Sequence, residues 1–442
     1  MTASEAALRD DLRSEDAELT RLLREQGPMN LERAYEVMDE FDLKGLVLGE
    51  PVNVYHALGY WPQLGNTRVG QPPTTFALLS RDARQKPGLV ASRFIYYYTY
   101  VDGGFASDVQ VYLYQEANDD GQGDALLPPD MLGPEFPDRK QAPLSAVERR
   151  RRQALDAITA ARGTSADAGA ALVRAMKEMG LWKGRIACDH VVTAAVCERH
   201  GHPGEVVPGD NILRWIRLIK STLEVRLMRR AAIANVGAVN AVGQAVRAGA
   251  SHSELRHLFE VEAARLGNRA LFLNVDRVSS ELSDGVISDG QAFFIDGVSH
   301  AHHYHGDYAR TVFVGEPVPA ARRAAQAVAH AWQSIRERLR PGMRYSEIVA
   351  LGQEAVRKGG FDVAVGIGPH SVGLMHTDEP GRDAGGFFGK LDLTLRENMI
   401  LSVDCPVMDT GVGGSAHIED LMLITAEGAE PLHDIGDPVI TV

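Results

Sequence analysis

Residues 292–313 read AFFIDGVSHAHHYHGDYARTVF. Two carboxylates, Asp296 in FFIDG and Asp307 in HGDYARTVFVG, sit in strand-like apolar runs eleven positions apart. Farther on, Asp404 in ILSVDCP and Glu419 in HIEDLMLIT repeat that placement. Burying four carboxylates is prohibitive unless cations or protons neutralise them. With His370 of HSVGL added, the set becomes an oxygen-rich site suited to two divalent metals. A single Asp at a strand end would read as a turn or cap residue, so it is the set that points to chemistry.

Outward from this stretch the pattern alternates helix and strand. Upstream, 219–249 has helical spacing, with Ser221 and Thr222 near its start and Glu224 in the first turn, an N-terminal capping arrangement. HSELRHLFEVEAARLG predicts a second helix, and 320–339 and 345–359 two more. Strands are expected around Val363, in MILSVDCPV and in IEDLMLIT.

The first half opens with a charged helical extension over 1–27, and a helix over 29–41 precedes the strand GLVLGE. VNVYHALGYWP, TFALLS and PGLVAS are short apolar runs broken by Gly and Pro, which suit an α/β domain. The acidic, Pro- and Gly-rich 115–146 reads as a long loop, either a lid or an inert insertion. Helical pattern returns over 147–180, and KGRIACDH offers another strand. The expected division is an extension at 1–27, a first domain at 28–215 and a second at 216–442.

Composition narrows the function classes. A formal charge of -13 repels a phosphate backbone, which argues against nucleic acid as a partner. The basic run Glu148–Arg152 opens an amphipathic helix and reads as a solvated face. No window approaches the ~20 apolar residues of a membrane span, and the acidic N-terminus lacks the flank of a secretory signal. Three cysteines without CxxC spacing fit a reduced, cytoplasmic setting. Cys188, His190, Cys197, His200 and His202 lie close together but match no zinc-finger spacing, so buried thiols are the favoured reading.

The second half resembles the superfamily of methionine aminopeptidases, Xaa-Pro dipeptidases and creatinases. IRLIKSTLEVRLMRRAA resembles its leading helix, IDG and GDYARTVFVG its paired Asp strands, HSVGL its His segment and HIEDLMLIT its final Glu strand. The resemblance covers about 216 to the C-terminus, and the first half is more weakly similar to the creatinase-type N-terminal domain. It implies an α/β (α+β) protein, a creatinase-type N-terminal α/β domain followed by a pita-bread catalytic domain. By resemblance, Asp296 binds one metal, His370 and Asp404 the other, and Asp307 and Glu419 bridge both. The implied cofactors are two divalent ions (Mn, Co, Fe or Zn), the implied chemistry attack by a metal-bridging hydroxide, and the implied assembly a homodimer.

The sequence departs from the family pattern in several places. Asp404 stands where the family has Glu. Thr377 stands where peptidases carry a His, and His376 comes one residue earlier; in an extended segment that shift would turn its side chain to the opposite face. The upstream substrate-holding His is missing from VDRVSSELSDGVISDGQ, and His417 replaces an Arg before the last Glu. Against these losses stand His300, His302, His303 and His305. Strand alternation would put His303, His305 and Asp307 on one face if the strand began that early. His305, with His303 or His376, becomes the candidate for proton transfer near neutral pH, and His417 joins the candidate catalytic set.

The expected function is therefore a metal-dependent hydrolase cleaving a dipeptide or peptide-like amide. The replaced peptidase histidines leave a small-molecule substrate as the alternative, in the manner of creatinase or the dimethylsulfoniopropionate lyases. A peptide-binding module without catalysis is disfavoured, because it has no reason to keep buried carboxylates unneutralised.

Overall fold

The computed structural model describes residues 3–62, 71–103, 109–115, 126–128, 132, 143–278, 282–382 and 389–442. Most of the expected loop at 115–146, and residues 279–281 of the stretch that lacks a histidine, lie outside these. The chain forms two compact units, one of Thr20–Ile216 with Gly381–Gly389, the other of Arg217–Pro380 and Lys390–Val442 with Met1–Leu19. The first helix, Ala3–Glu25, therefore runs through the boundary after Leu19.

The first unit is built on strands β1 (Gly45–Leu48), β2 (Thr75–Ser80), β3 (Gly88–Ser92), β4 (Gln110–Tyr114), β5 (Thr164–Ser165), β6 (Ile186–Cys188) and β7 (Val206–Pro208). Their spatial order is β5-β4-β3-β2-β1-β6-β7. Alternate residues feed two apolar clusters: Leu46, Leu48, Ala77 and Leu79 join one, Val47, Phe76 and Leu78 the other. Both faces are thus covered, which is why these strands are continuously apolar. VNVYHALGYWP, a short apolar run in sequence, contributes the helix Pro51–Leu58. The Arg-rich run lies on the helix Ala146–Arg162, where Arg150 and Arg151 pair with Asp102.

The second unit contains two four-stranded sheets. One is ordered β15-β10-β9-β8, from β8 (Arg269–Val275), β9 (Ala292–Ala301), β10 (Tyr304–Phe313) and β15 (Val439–Thr441). The other is ordered β11-β12-β13-β14, from β11 (Gly368–Ser371), β12 (Ile400–Asp404), β13 (Met422–Ile424) and β14 (Ala429–Pro431). The strand expected around Val363 begins five residues later, at Gly368.

The long helix Thr222–Ala245 starts at Ser221, whose hydroxyl accepts from Glu224 N while Glu224 accepts from Ser221 N, a complete capping box. It lies close against β9 and β10 because two glycines let it. A Cβ on Gly306 would stand 2.9 Å from Ala231 O and 3.1 Å from Ala232 Cα, and one on Gly297 would meet Val239 Cγ2 at 2.5 Å. Val239 and Val242 then pack with Ile295 and Val312 in the core of this unit.

Behind the other end of β10, a polar cluster is fully buried. Arg310 Nη2 donates to Asp420 Oδ1 at 2.7 Å, Arg310 Nη1 to Glu419 O at 3.0 Å, and Trp332 Nε1 to Asp420 Oδ2 at 2.6 Å. Hydrogen bonds to the remaining polar atoms offset part of the desolvation of such a buried pair, and removing one partner is costly because the other charge is left unpaired.

Two stability outcomes follow. Gly306→Val should cost at least the roughly 1–3 kcal/mol of ordinary overpacking, since helix backbone is what it meets; an unshifted urea midpoint would refute the close approach. Asp420→Ala should cost about 3–5 kcal/mol by stranding the Arg310 guanidinium, against about 1.5–3 kcal/mol for Trp332→Phe, which removes one donor to a charged acceptor. Equal midpoints for these two variants would show that the stranded Arg310 charge is not what makes the loss of Asp420 costly.

Candidate metal centre

The β9–β10 hairpin registers its carboxylates through backbone pairing. Asp296 lies opposite Ala309 on β10, and Ala309 in turn bridges Glu419 on its other side, each N–H bonding the other's carbonyl. Asp307 precedes Ala309 by two residues, so Asp296, Asp307 and Glu419 share one face. In the second sheet Gly368 pairs with Asp404 and His370 with Ser402, which puts the His370 and Asp404 side chains on a common face as well.

The side chains converge. His370 Nε2 lies 3.3 Å from Glu419 Oε1, 3.5 Å from Asp404 Oδ2 and 3.6 Å from Asp307 Oδ2. His417 Nε2 lies 3.4 Å from Asp404 Oδ1 and 3.5 Å from Glu419 Oε2, and His376 Nε2 lies 3.3 Å from Asp307 Oδ2. Among the described residues three donor triads have ligand atoms close enough to share an ion: Asp307 with His370 and His376, Asp296 with His417 and Glu419, and His370 with Asp404 and Glu419. No triad falls among Cys188, His190, Cys197, His200 and His202, where His190 instead caps a helix by accepting from Val192 N and the thiols are buried.

Charge is poorly accommodated by the protein atoms themselves. Burial, reinforced by Glu419, pushes Asp307 well above the ordinary carboxylate range and Asp296 to about 6. Glu419 faces the same burial, but hydrogen bonds from His370 and His417 hold it well below its usual value. His370 is raised to about 9, its burial outweighed by Glu419 and Asp307. Asp296 Oδ2 accepts from Asn274 Nδ2 at 2.8 Å, while Asp296 Oδ1 and both Asp307 oxygens have no hydrogen-bond partner among the described residues. Buried carboxylate oxygens without donors, beside imidazole nitrogens, fit divalent cations.

Sequence reasoning and structure part company at the histidines. His376 lies in a run of bends after β11, so strand alternation does not govern it and it reaches Asp307 despite its one-residue shift. His303 does not share the Asp307 face: β10 starts at Tyr304, and His302 and His303 form the two-residue hairpin turn with φ of 47° and 66°. His302 pairs with Asp16, and His300, His302 and His303 line a separate cavity of about 410 Å³ with Arg269. His305 remains on the Asp307 strand face, buried, its Nδ1 donating to Gly373 O at 3.2 Å. Burial, then His300, holds its imidazole at about 4, so it is neutral at pH 7. Asn274 went unnoticed in the sequence, because an Asn in β8 carries no signal until the register places it opposite Asp296.

The model of metallopeptidase family M24 matches residues 226–426. The Xaa-Pro dipeptidase of Pyrococcus furiosus is 27% identical over 233 residues, which cover 50% of this chain and 65% of that protein, just under two thirds of its length. Among solved structures, a dipeptidase from Pyrococcus horikoshii OT3 superposes with a TM-score of 0.66 at 16% identity, covering 94% of this chain and 100% of the other. An Xaa-Pro dipeptidase from Bacillus anthracis gives 0.63 at 18% identity, covering 93% and 98%. The chain thus has the two-domain, mixed α/β fold of these solved structures, and its residues 226–426 match metallopeptidase family M24.

Proposed function

We propose that this chain is a divalent-metal-dependent dipeptidase, acting on Xaa-Pro dipeptides or a closely related peptide amide, with two ions drawn from Mn, Co, Fe or Zn. The observation that carries the reading is the convergence of four carboxylates and three imidazoles around the buried Asp296 and Asp307 oxygens that lack protein donors. Asp296, Asp307, His370, Asp404 and Glu419 would hold the ions. His376 and His417 add imidazole donors beside them, offsetting the shorter reach of Asp404. When bound, such ions lower the pKa of water and polarise a scissile carbonyl.

The chain's own residues supply the rest. Asn274 orients Asp296, and Arg310 holds the Glu419 carbonyl from behind. His305, with Nδ1–H committed to Gly373 O, keeps Nε2 unprotonated at pH 7; burial makes it a weaker base than the near-neutral one the sequence suggested, and we assign it proton acceptance on the Asp307 side. The dipeptidase names of the relatives support this reading over a creatinase-like hydrolase or a lyase. We also expect a cytoplasmic homodimer; the three buried, unbridged cysteines are consistent with a reducing compartment. No described helix is long and apolar enough to cross a membrane.

Protein purified without chelator should contain about two equivalents of divalent metal and hydrolyse Xaa-Pro dipeptides, with chelation abolishing turnover and Mn, Co or Zn restoring it. Asp307→Ala should lose metal and activity together, by more than the roughly 10- to 100-fold that an outer-shell change costs. Failure to take up any of these metals sinks the proposal, and metal uptake with acrylate released from dimethylsulfoniopropionate in place of dipeptide turnover would move the assignment to a lyase. His305→Ala should lower kcat by about 100-fold or more at unchanged metal content; wild-type turnover would remove His305 from the reaction.

A further inference from the structure

The segment RLIKSTLE, residues 217–224, leads into the long helix of the second unit and has no part in the donor set. Yet Arg217, Lys220 and Glu224 are each at most 3% exposed. Burying charge is expensive unless each group is held in good geometry. Burial pulls the Lys220 ammonium down to about 8, opposed by the carboxylates of Asp378 and Glu224.

What these groups hold is the rear of the strand that presents His370. Ser371 follows His370, so its side chain points to the opposite face of β11, and there Lys220 Nζ donates to Ser371 Oγ at 3.1 Å. Both backbone groups of Ser371 are also engaged: its N–H donates to Glu379 Oε2 at 3.1 Å and its carbonyl accepts from Asp378 N at 2.8 Å. Arg217 Nε donates to the two Asp378 oxygens at 2.9 and 3.0 Å.

Residues 371–378 therefore form a closed turn with His370 just before it and His376 within it. Its interior is filled: a Cβ on Gly373 would come 2.8 Å from Asp378 Oδ2. The same Gly373 offers its carbonyl to His305 N at 3.0 Å. Glu224, besides capping its helix, accepts from Tyr304 Oη on β10 at 3.0 Å, which ties the segment to the hairpin that carries Asp307.

We propose that Lys220 and Arg217 are positioning residues of the metal centre, locking the 371–378 turn from behind so that His370 and His376 are held against Asp307. The inference rests on the metal reading above. Mobile imidazoles bind metal poorly, and losing an outer-shell partner that orients a ligand typically costs roughly 10- to 100-fold in affinity.

The test is Co(II) titration of the full chain, followed by equilibrium dialysis and visible absorption, on wild type, Lys220→Met, Ser371→Ala and the first-unit core variant Leu172→Ala. Lys220→Met and Ser371→Ala should weaken Co(II) binding by roughly 10- to 100-fold and alter the absorption bands. Leu172→Ala should lower Tm while leaving both readouts unmoved. Should Lys220→Met fail to fold, Ser371→Ala, which removes only a hydroxyl, decides the matter. Unchanged Co(II) affinity and spectrum in the folded variants overturns the proposal, whereas a wild-type protein that takes up no Co(II) overturns the metal reading and this inference with it.

Discussion

The structure of the second unit turns on one electrostatic constraint: carboxylates are brought together in an interior where their charge has too few protein partners. Asp296, Asp307 and Glu419 stand on a common face, all buried at their reactive ends, and their mutual repulsion combines with burial to favour protonation of Asp296 and Asp307. Imidazoles on two sides relieve part of this by donating to Glu419. Such an arrangement is unfavourable for folding by itself, and its retention is intelligible only if cations complete it.

Much of the surrounding architecture serves to hold that strained set in place. Glycines at 297 and 306 bring the long helix onto the hairpin backbone. From one side Arg310, Asp420 and Trp332 fix the chain on which Glu419 sits. From another, Arg217 and Lys220 fix the turn after His370. In both networks a buried cation reaches backbone or hydroxyl oxygens next to a ligand candidate and leaves the ligand atoms themselves uncovered. That division of labour is what a pre-organised site needs, since the groups that bind must be held by groups that do not.

The histidines show how local backbone geometry redirects chemistry. His302 and His303 occupy left-handed turn positions, where among non-glycine residues His, Asn and Asp are over-represented. They therefore project away from the carboxylates and line their own cavity. His376, seemingly misplaced by one residue, reaches Asp307 because the turn carrying it is bent.

The sequence by itself determined the alternation of elements and the capped long helix, and its buried-charge cost together with the family resemblance singled out the five ligand candidates, because strand period and apolar flanks are local properties. It could also expose departures such as Asp404 and His417, which are visible as residue types. Only the tertiary structure decided which histidines face the carboxylates, where the strand after the hairpin begins, and that Asn274, Lys220 and Arg217 stand beside or behind the ligands. Those outcomes depend on register, turn conformation and contacts between residues as far apart as Lys220 and Ser371. No periodicity along the chain encodes such pairings, since they arise only when the sheets and the helix close on one another.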